Sequence, residues 1–494
     1  MIPSLYQIVS KAARAYPDKP AVIEPGKSIT YKEFDEKIDS MAGHILAMGF
    51  KKGERAGILA KNSADSLAAY LAIIKAGGVA VWLNHTLSLS ETVRQAKDCS
   101  LAFIYAGKGF EAKSGSIMAD ARSIRFVMDE AQARASLTAK RFPKIKSEGL
   151  ASVVYTAGTT RRALGVMLSH KNLISNAAAV VKYARLKPSD SVVCVLPLYH
   201  IYGLSVAISH LLAGGTVMID NRFMYPNLIL DTIEKYRATG FAGVSSHYAM
   251  LLYMSDMPKR KLPSLRYLMQ AGDRMPENIT KRLVSLFPGK KLYLMYGQTE
   301  ASPRIAYLDP GSARKKPGSI GRAIPGVTIK VVNESGRECR EGKAGEIAVK
   351  GDNVMIGYWK NRRETRKVLK KGWLYTGDIA FKDKEGDLFI AGRRKGFVKI
   401  GGNKVNPAEI ENVVLGIEGV MEAAAIGAKD PVLGERLKLF VTLVPGAKIT
   451  SAEIKKICRS ELPTYKVPQE VAILKDIPKN SFGKIAREEL SKRS

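Results

Sequence analysis

The sequence predicts an α/β protein. It reads as a large N-terminal domain of two layered α/β lobes plus a small β-rich subdomain, followed by a small, mobile α+β C-terminal domain. Three observations carry this. Helical and strand patterns alternate through the first third, and the alternation recurs after residue 150. From Gly318 to Ile390 the texture changes to shorter strands broken by Gly turns. The stretch Ala391–Gly396, dense in Gly and charge, then reads as a linker to a C-terminal region with its own strands and helices.

The elements follow in order. Tyr31-Lys32-Glu33-Phe34 opens a helix that continues through Met41, Ile45 and Leu46. Arg55–Ala60 is a buried strand, Ser66–Ala76 a helix stopped by Gly77-Gly78, and Val79–Leu83 the next strand, so the first sheet is largely parallel. Ala151–Tyr155 and Ser191–Leu196 are strands, Gly203–Leu212 a helix, and Thr216–Ile219 a strand. Val327–Val332, Gly345–Val349 and Asp387–Ile390 supply the β-rich subdomain, and Met421–Ile426 and Lys438–Val444 belong to the C-terminal domain. The boundary falls near Arg394, giving domains 1–393 and 394–494.

Composition bounds the function. With 494 residues, 46% of them hydrophobic, the chain can bury a large core in more than one domain, and disorder is excluded. The longest run free of Asp, Glu, Lys and Arg, Ser191–Ile219, is interrupted by Pro197, His200, His210, Gly214 and Gly215; it reads as buried strands around a buried helix, not a membrane span. No signal-peptide pattern opens the chain. Cys99, Cys194, Cys339 and Cys458 lie far apart without metal-binding spacing, which points to reduced thiols and a cytoplasmic location. The net charge of +32 has two open readings: attraction to anionic partners, or a basic bias spread over solvated faces. No zinc finger, RNP segment or arginine-rich tail accompanies it, so no nucleic-acid partner is expected.

Several segments carry chemistry. After the strand Ala151–Tyr155 comes a hydroxyl-rich turn, Thr156-Ala157-Gly158-Thr159-Thr160, whose N–H groups and hydroxyls suit phosphate. No Gly-Lys-Ser/Thr closes it, so it is not a Walker A loop. Further on stand Pro197-Leu198-Tyr199-His200-Ile201-Tyr202-Gly203, the strand and small-residue turn Leu265–Pro276 with Ala271-Gly272, and Tyr296-Gly297-Gln298-Thr299-Glu300. Trp373–Asp378 reads as a turn, followed by Gly392-Arg393, Lys399–Glu411 and Pro478–Ile485. In this order, over Tyr31–Leu490, they resemble the adenylate-forming superfamily of acyl-CoA synthetases, luciferases and adenylation domains.

The resemblance implies ATP, Mg²⁺ and CoA as cofactors, a carboxylic acid as substrate, and an acid–thiol ligase as activity. It implies that Thr156–Thr160 hold phosphate, that His200 walls the carboxylate pocket, and that Ala271 and Gly272 flank the adenine and acyl pockets. Tyr296 would stack on adenine, Thr299 would bond the phosphate or adenylate, and Glu300 would hold Mg²⁺. Asp378 would accept the ribose hydroxyls with Arg393 nearby, Lys395 would be the hinge, Lys399, Gly401 and Gly402 would line the thiol route, and Lys484 would be the catalytic lysine. Asp273 and Arg274 either touch ligand or face solvent. No acid stands in Pro197–Gly203 to pair with a substrate amine, which favours a fatty, aryl or other plain organic acid.

The phosphate loop departs from the family pattern. Ala157 replaces Ser, Arg161 replaces Gly, Ala163 replaces Pro and Leu164 replaces Lys. Arg161 and Arg162 can restore the lost cation from neighbouring positions, since a guanidinium fork suits phosphate oxygens. Two alternatives stay beside the ligase reading: a standalone loader of an acyl carrier protein, and a weakly active nucleotide- or acyl-binding pseudoenzyme.

Overall fold

The computed structural model describes residues 4–129, 141–156, 163–394, 396–400, 403–430, 434–479 and 485–492. Within these, two sheets and the helices between them form the bulk of the protein. The first sheet has seven strands in the order Gly357–Tyr358, Leu164–Ser169, Leu150–Thr156, Val79–Trp82, Arg55–Leu59, Leu101–Ala106 and Phe126–Asp129. From Leu150–Thr156 onward all neighbours are parallel, as the βαβ alternation requires.

The second sheet begins with the edge strand Lys27–Thr30, antiparallel to Pro20–Glu24, and continues through six parallel neighbours: Pro20–Glu24, Thr216–Ile219, Ser191–Cys194, Gly240–Gly243, Tyr267–Gln270 and Lys291–Gly297. It then turns antiparallel through Arg304–Leu308, Ser319–Ala323, Leu388–Arg393, Trp373–Lys382, Gly345–Gly351 and Val327–Val332. The β-rich subdomain is therefore hydrogen-bonded onto the second lobe as an extension of its sheet.

Helices start where local chemistry tells them to. Thr30 caps Tyr31–Ala47 and Ser63 caps Ala64–Lys75, each in a reciprocal capping box, with Glu33 and Ser66 answering. Every residue of Ala64–Lys75 is buried, and so are those of Ile201–Leu212 up to Leu211. One hydrophobic core runs through these helices and both sheets. The uncharged run Ser191–Ile219 resolves into the expected buried strand, helix and strand, and no helix among the described residues is long and apolar enough to cross a membrane.

Two sequence expectations are corrected. Trp373–Asp378 is no free-standing turn but the first part of the ten-residue strand Trp373–Lys382. Ala391, Gly392 and Arg393 belong to the strand Leu388–Arg393, not to a linker, because Gly392 pairs with Ile379 and Arg393 with Asp378 in the ladder. The β ladder outweighs the local turn signal of the glycines.

Asn62 ties the first lobe to the second. Its Nδ2 donates to the Leu196 carbonyl and its Oδ1 accepts from the Leu198 N–H, both at 2.8 Å. Beyond residue 397, strands Asn403–Val405, Val398–Ile400, Gly434–Leu443, Val420–Asp430 and Glu470–Ile473 make a separate sheet with its own core around Ile410, Val414, Leu437 and Ile454.

Two buried histidines make the stability of this fold depend on pH. His210 lies with Nε2 2.7 Å from the Tyr267 hydroxyl and Nδ1 2.7 Å from the Val206 carbonyl. Burial pushes both His210 and His170 down to about 4 from 6.5. The folded protein keeps them neutral while the unfolded chain protonates them. Their contribution is complete above pH 6.5 and is lost as pH falls from 6.5 towards 4. Each adds a slope of up to ~1.4 kcal/mol per pH unit. Denaturant titrations across this window should show a shallower slope in His210→Gln than in the wild type, by about one proton; an unchanged slope contradicts a neutral buried His210.

Candidate active site

The strand Lys291–Gly297 ends at Tyr296-Gly297, passes through one turn of 3₁₀ helix, Thr299–Ala301, and returns antiparallel as Arg304–Leu308. The return is so close that a Cβ on Gly297 would lie 1.7 Å from the Pro303 carbonyl oxygen, so only glycine fits. Two amides hold the turn: Nδ2 of Asn176 and of Asn353 each donate to the carbonyls of Ala301 and Arg304, at 2.8–3.2 Å. Thr299 and Glu300 are thereby presented half-buried at the ends of the parallel strands. Glu300 Oε1 accepts from the Tyr358 hydroxyl at 2.8 Å. Burial first, and the Glu300 charge second, push the Tyr358 phenol well up.

Next to this turn, Asp378 stands opposite Arg393 in the ladder of Trp373–Lys382 and Leu388–Arg393. The Asp378 carboxylate is 4% exposed. Its Oδ2 accepts from the Tyr296 hydroxyl at 2.6 Å and its Oδ1 from Arg393 Nε at 2.8 Å. Asp378 in turn raises the Arg393 guanidinium further above its ordinary range, and Asp273 adds to this. Asp273 and Arg274 are both exposed, and the Asp273 charge also reaches Arg487 of the C-terminal region. Glu346 completes the cluster, with Oε1 accepting from the Gly377 N–H at 3.0 Å and Oε2 from Arg394 at 3.1 Å.

His200 is the residue before the helix Ile201–Leu212, in extended backbone. The segment that carries it is wound tightly: a Cβ on Gly203 would meet the Pro197 carbonyl oxygen at 2.4 Å. The His200 ring lies 5.0 Å from Tyr199, and Tyr199 lies 5.4 Å from His85. Ala271 and Gly272 follow directly on the strand Tyr267–Gln270, where Gln270 Nε2 donates to the Asp273 carbonyl at 2.6 Å. Thr156 ends the strand Leu150–Thr156.

The structure thus brings Tyr296, Asp378 and Arg393 into direct contact and sets Thr299 and Glu300 on the adjoining turn. Ala157, Gly158, Thr159, Thr160, Arg161, Arg162, Lys395, Gly401, Gly402 and Lys484 lie outside the described residues, and of Lys399 only the backbone, in strand Val398–Ile400, is described. Sequence reasoning missed Tyr358, Asn353 and Glu346. Each reaches its partner across 31 to 58 positions, and no local pattern marks them. Among the described residues no three His, Cys, Asp or Glu side chains gather as a metal site. A single carboxylate such as Glu300 suits Mg²⁺ that arrives on a polyphosphate with its own oxygen and water ligands.

Known proteins resemble this chain over nearly its whole length. The AMP-binding enzyme family matches residues 9–359, and the AMP-binding enzyme C-terminal domain matches residues 409–484. A long-chain-fatty-acid–CoA ligase of Salmonella typhimurium is 31% identical, over 99% of this chain and 94% of its own. An indoleacetate–CoA ligase of Aromatoleum aromaticum is 29% identical, over 98% and 97%. Among solved structures, o-succinylbenzoate CoA synthetase of Bacillus subtilis with its acyl-adenylate intermediate superposes with a TM-score of 0.88 at 28% identity, covering 99% of this chain and 98% of that one. ATP-bound MatB of Rhodopseudomonas palustris gives 0.92 at 29% identity, covering 100% and 99%.

The Gly297 contact is directly testable. Gly297→Ala must displace either Pro303 or the turn that carries Thr299 and Glu300. Calorimetric titration with Mg-ATP should show affinity reduced at least about tenfold, whereas wild-type affinity would contradict so close a return.

Proposed function

The chain belongs to the AMP-binding enzyme family, and from that premise we propose that it is an AMP-forming acid–CoA ligase. It activates a carboxylic acid with Mg-ATP and transfers the acyl group to CoA, giving acyl-CoA, AMP and pyrophosphate. The observation that carries this is the Tyr296–Asp378–Arg393 contact beside Glu300, built from strands far apart in sequence.

In the first step a carboxylate oxygen of the acid attacks the α-phosphorus. The new O–P bond replaces the bond to the β-phosphate oxygen, and pyrophosphate leaves. The protein contributes positioning and electrostatics. Asp378 offers an acceptor pair for the ribose diol, and Tyr296 presents its ring to adenine. Thr299 donates to phosphate, and Glu300 anchors the Mg²⁺ that screens the triphosphate charge. Thr156–Thr160 cradle the β- and γ-phosphates, with Arg161 and Arg162 in place of the missing lysine. His200 walls the acid's carboxylate, Ala271 and Gly272 leave room for the base, and Lys484 neutralises charge on the reacting oxygens.

In the second step the CoA sulfur attacks the acyl carbon, and the carbon–oxygen bond to AMP breaks. We assign residues 1–393 to the body and 394–494 to a domain that turns about Lys395. That turn withdraws Lys484 and brings in Lys399, Gly401 and Gly402. Lys479 of the C-terminal region lies near the body in this structure. Its charge reaches His247, which packs 4.2 Å from the Phe223 ring and is pushed down to about 3 by burial first and Lys479 second.

The acid is taken to be fatty, aryl or another organic acid, in keeping with the names of the relatives. The cysteines carry no disulfide among the described residues, which fits a cytoplasmic enzyme. An acyl carrier protein is the alternative acceptor, an acidic partner that the net charge of +32 would suit.

Pyrophosphate release with ATP, Mg²⁺ and a panel of acids tests the reading; no release with any acid, alongside measurable ATP binding, sinks it. Offering CoA or an acyl carrier protein as sole thiol identifies the acceptor. Lys484→Ala should slow adenylation by about 10²–10³ yet spare thioester formation from preformed adenylate; equal losses in both would contradict its role. Asp378→Ala should raise KM for ATP about tenfold or more, since two ribose hydrogen bonds to a charged group are lost.

A further inference from the structure

Arg304 is the largest side chain in the deep interior, only 1% exposed. A guanidinium cannot deprotonate in a protein, and burying one without a counter-charge costs several kcal/mol. Yet Nε, Nη1 and Nη2 all lack a hydrogen-bond partner among the described residues. The Tyr202 ring lies under the guanidinium at 4.3 Å, which offsets about 2 kcal/mol of that cost. The Tyr183 hydroxyl, which donates to Met295 Sδ at 2.9 Å, also lies against Arg304, but it is neutral and supplies no counter-charge. A methionine or leucine would fill the same space without the penalty.

The position is informative. Tyr202 stands two residues after His200, on the helix that starts the carboxylate wall, and its hydroxyl donates to the Met269 carbonyl at 3.0 Å on the strand that leads to Ala271-Gly272. Arg304 itself follows Glu300 by four residues. Its guanidinium packs on Tyr202, whose own hydroxyl reaches the strand before Ala271. One helical turn beyond Tyr202, the Ser205 hydroxyl is 3% exposed and likewise without a partner among the described residues. Ser205 thus follows Tyr202 by three positions on the helix against which Arg304 packs.

Resting on the ligase reading, we propose that Arg304 receives a second, distal carboxylate of the substrate, with Ser205 as a supporting donor, so that the preferred acids are dicarboxylic. The planar guanidinium fork matches a carboxylate in two parallel hydrogen bonds. The acid's reacting carboxylate then sits at His200, with the apolar body of the molecule between.

Pyrophosphate release with α,ω-dicarboxylic acids from succinate to hexadecanedioate, each paired with the monocarboxylic acid of equal length, tests this. At some length the wild type should favour the dicarboxylate by about tenfold or more in kcat/KM, the equivalent of one charged hydrogen-bonded pair. Arg304→Met should abolish or invert that ratio, and Arg304→Lys should keep part of it; the ratio, not the absolute rate, is the readout. A wild-type ratio at or below one at every length overturns the proposal whether or not the variants fold, and so does a ratio that survives in Arg304→Met. If no acid releases pyrophosphate, the ligase reading fails separately. Thermal shifts of wild type and Arg304→Met with each paired acid then decide Arg304, and equal shifts for both members of every pair would overturn its role.

Discussion

The carbonyl oxygen of Pro303 occupies the space that a side chain on Gly297 would need. This close approach reverses the chain at the end of the last parallel strand and starts the antiparallel half of the second sheet. The antiparallel ladder then carries Asp378 and Arg393 back beside Tyr296. The same turn sets Thr299 and Glu300 at the strand ends, where open α/β sheets present ligand sites. A wider reversal would shift the register of every later strand relative to Tyr296.

Charges around this turn are handled in two ways. The Asp378 carboxylate is buried, but each of its oxygens accepts a donor, from Tyr296 and from Arg393. Such a satisfied carboxylate is held in one orientation. Glu300 is held on one oxygen by Tyr358, which fixes its orientation. Arg304, four residues on, has aromatic neighbours but no counter-charge within the described protein. That contrast, in one short stretch of chain, separates charges answered by the fold from one left without a counter-charge among the described residues.

Much of the architecture could be read from periodicity. The helix expected from Tyr31 starts there, the one expected from Ser66 starts two residues earlier at Ala64 under its Ser63 cap, and the apolar run Ser191–Ile219 divides at its glycines and proline, because backbone constraints act over a few residues. The errors lay where a long-range ladder overrode local signals. Gly377 and Gly392 look like turn and linker residues, yet both sit in strands because Asp378 and Arg393 pair across the sheet. Tyr358 gave no local sign at all: it meets Glu300 because Gly357–Tyr358 adds to the first sheet beside Leu164–Ser169.

Residue order alone named the chemical parts: the Tyr-Gly-x-Thr-Glu stretch, an aspartate and an arginine downstream, a histidine before a buried helix, and a family to which they belong. Those are properties of spacing and side-chain type, which a linear chain displays directly. Which parts touch was settled by folding. The contact of Tyr296 with Asp378, the clamp of Asn176 and Asn353 on the turn, and the burial of Arg304 against Tyr202 each join positions 49 to 128 residues apart or on different elements. Hydrogen bonding and desolvation depend on distance and surroundings in space, and these exist only once the two sheets have closed around their shared helices.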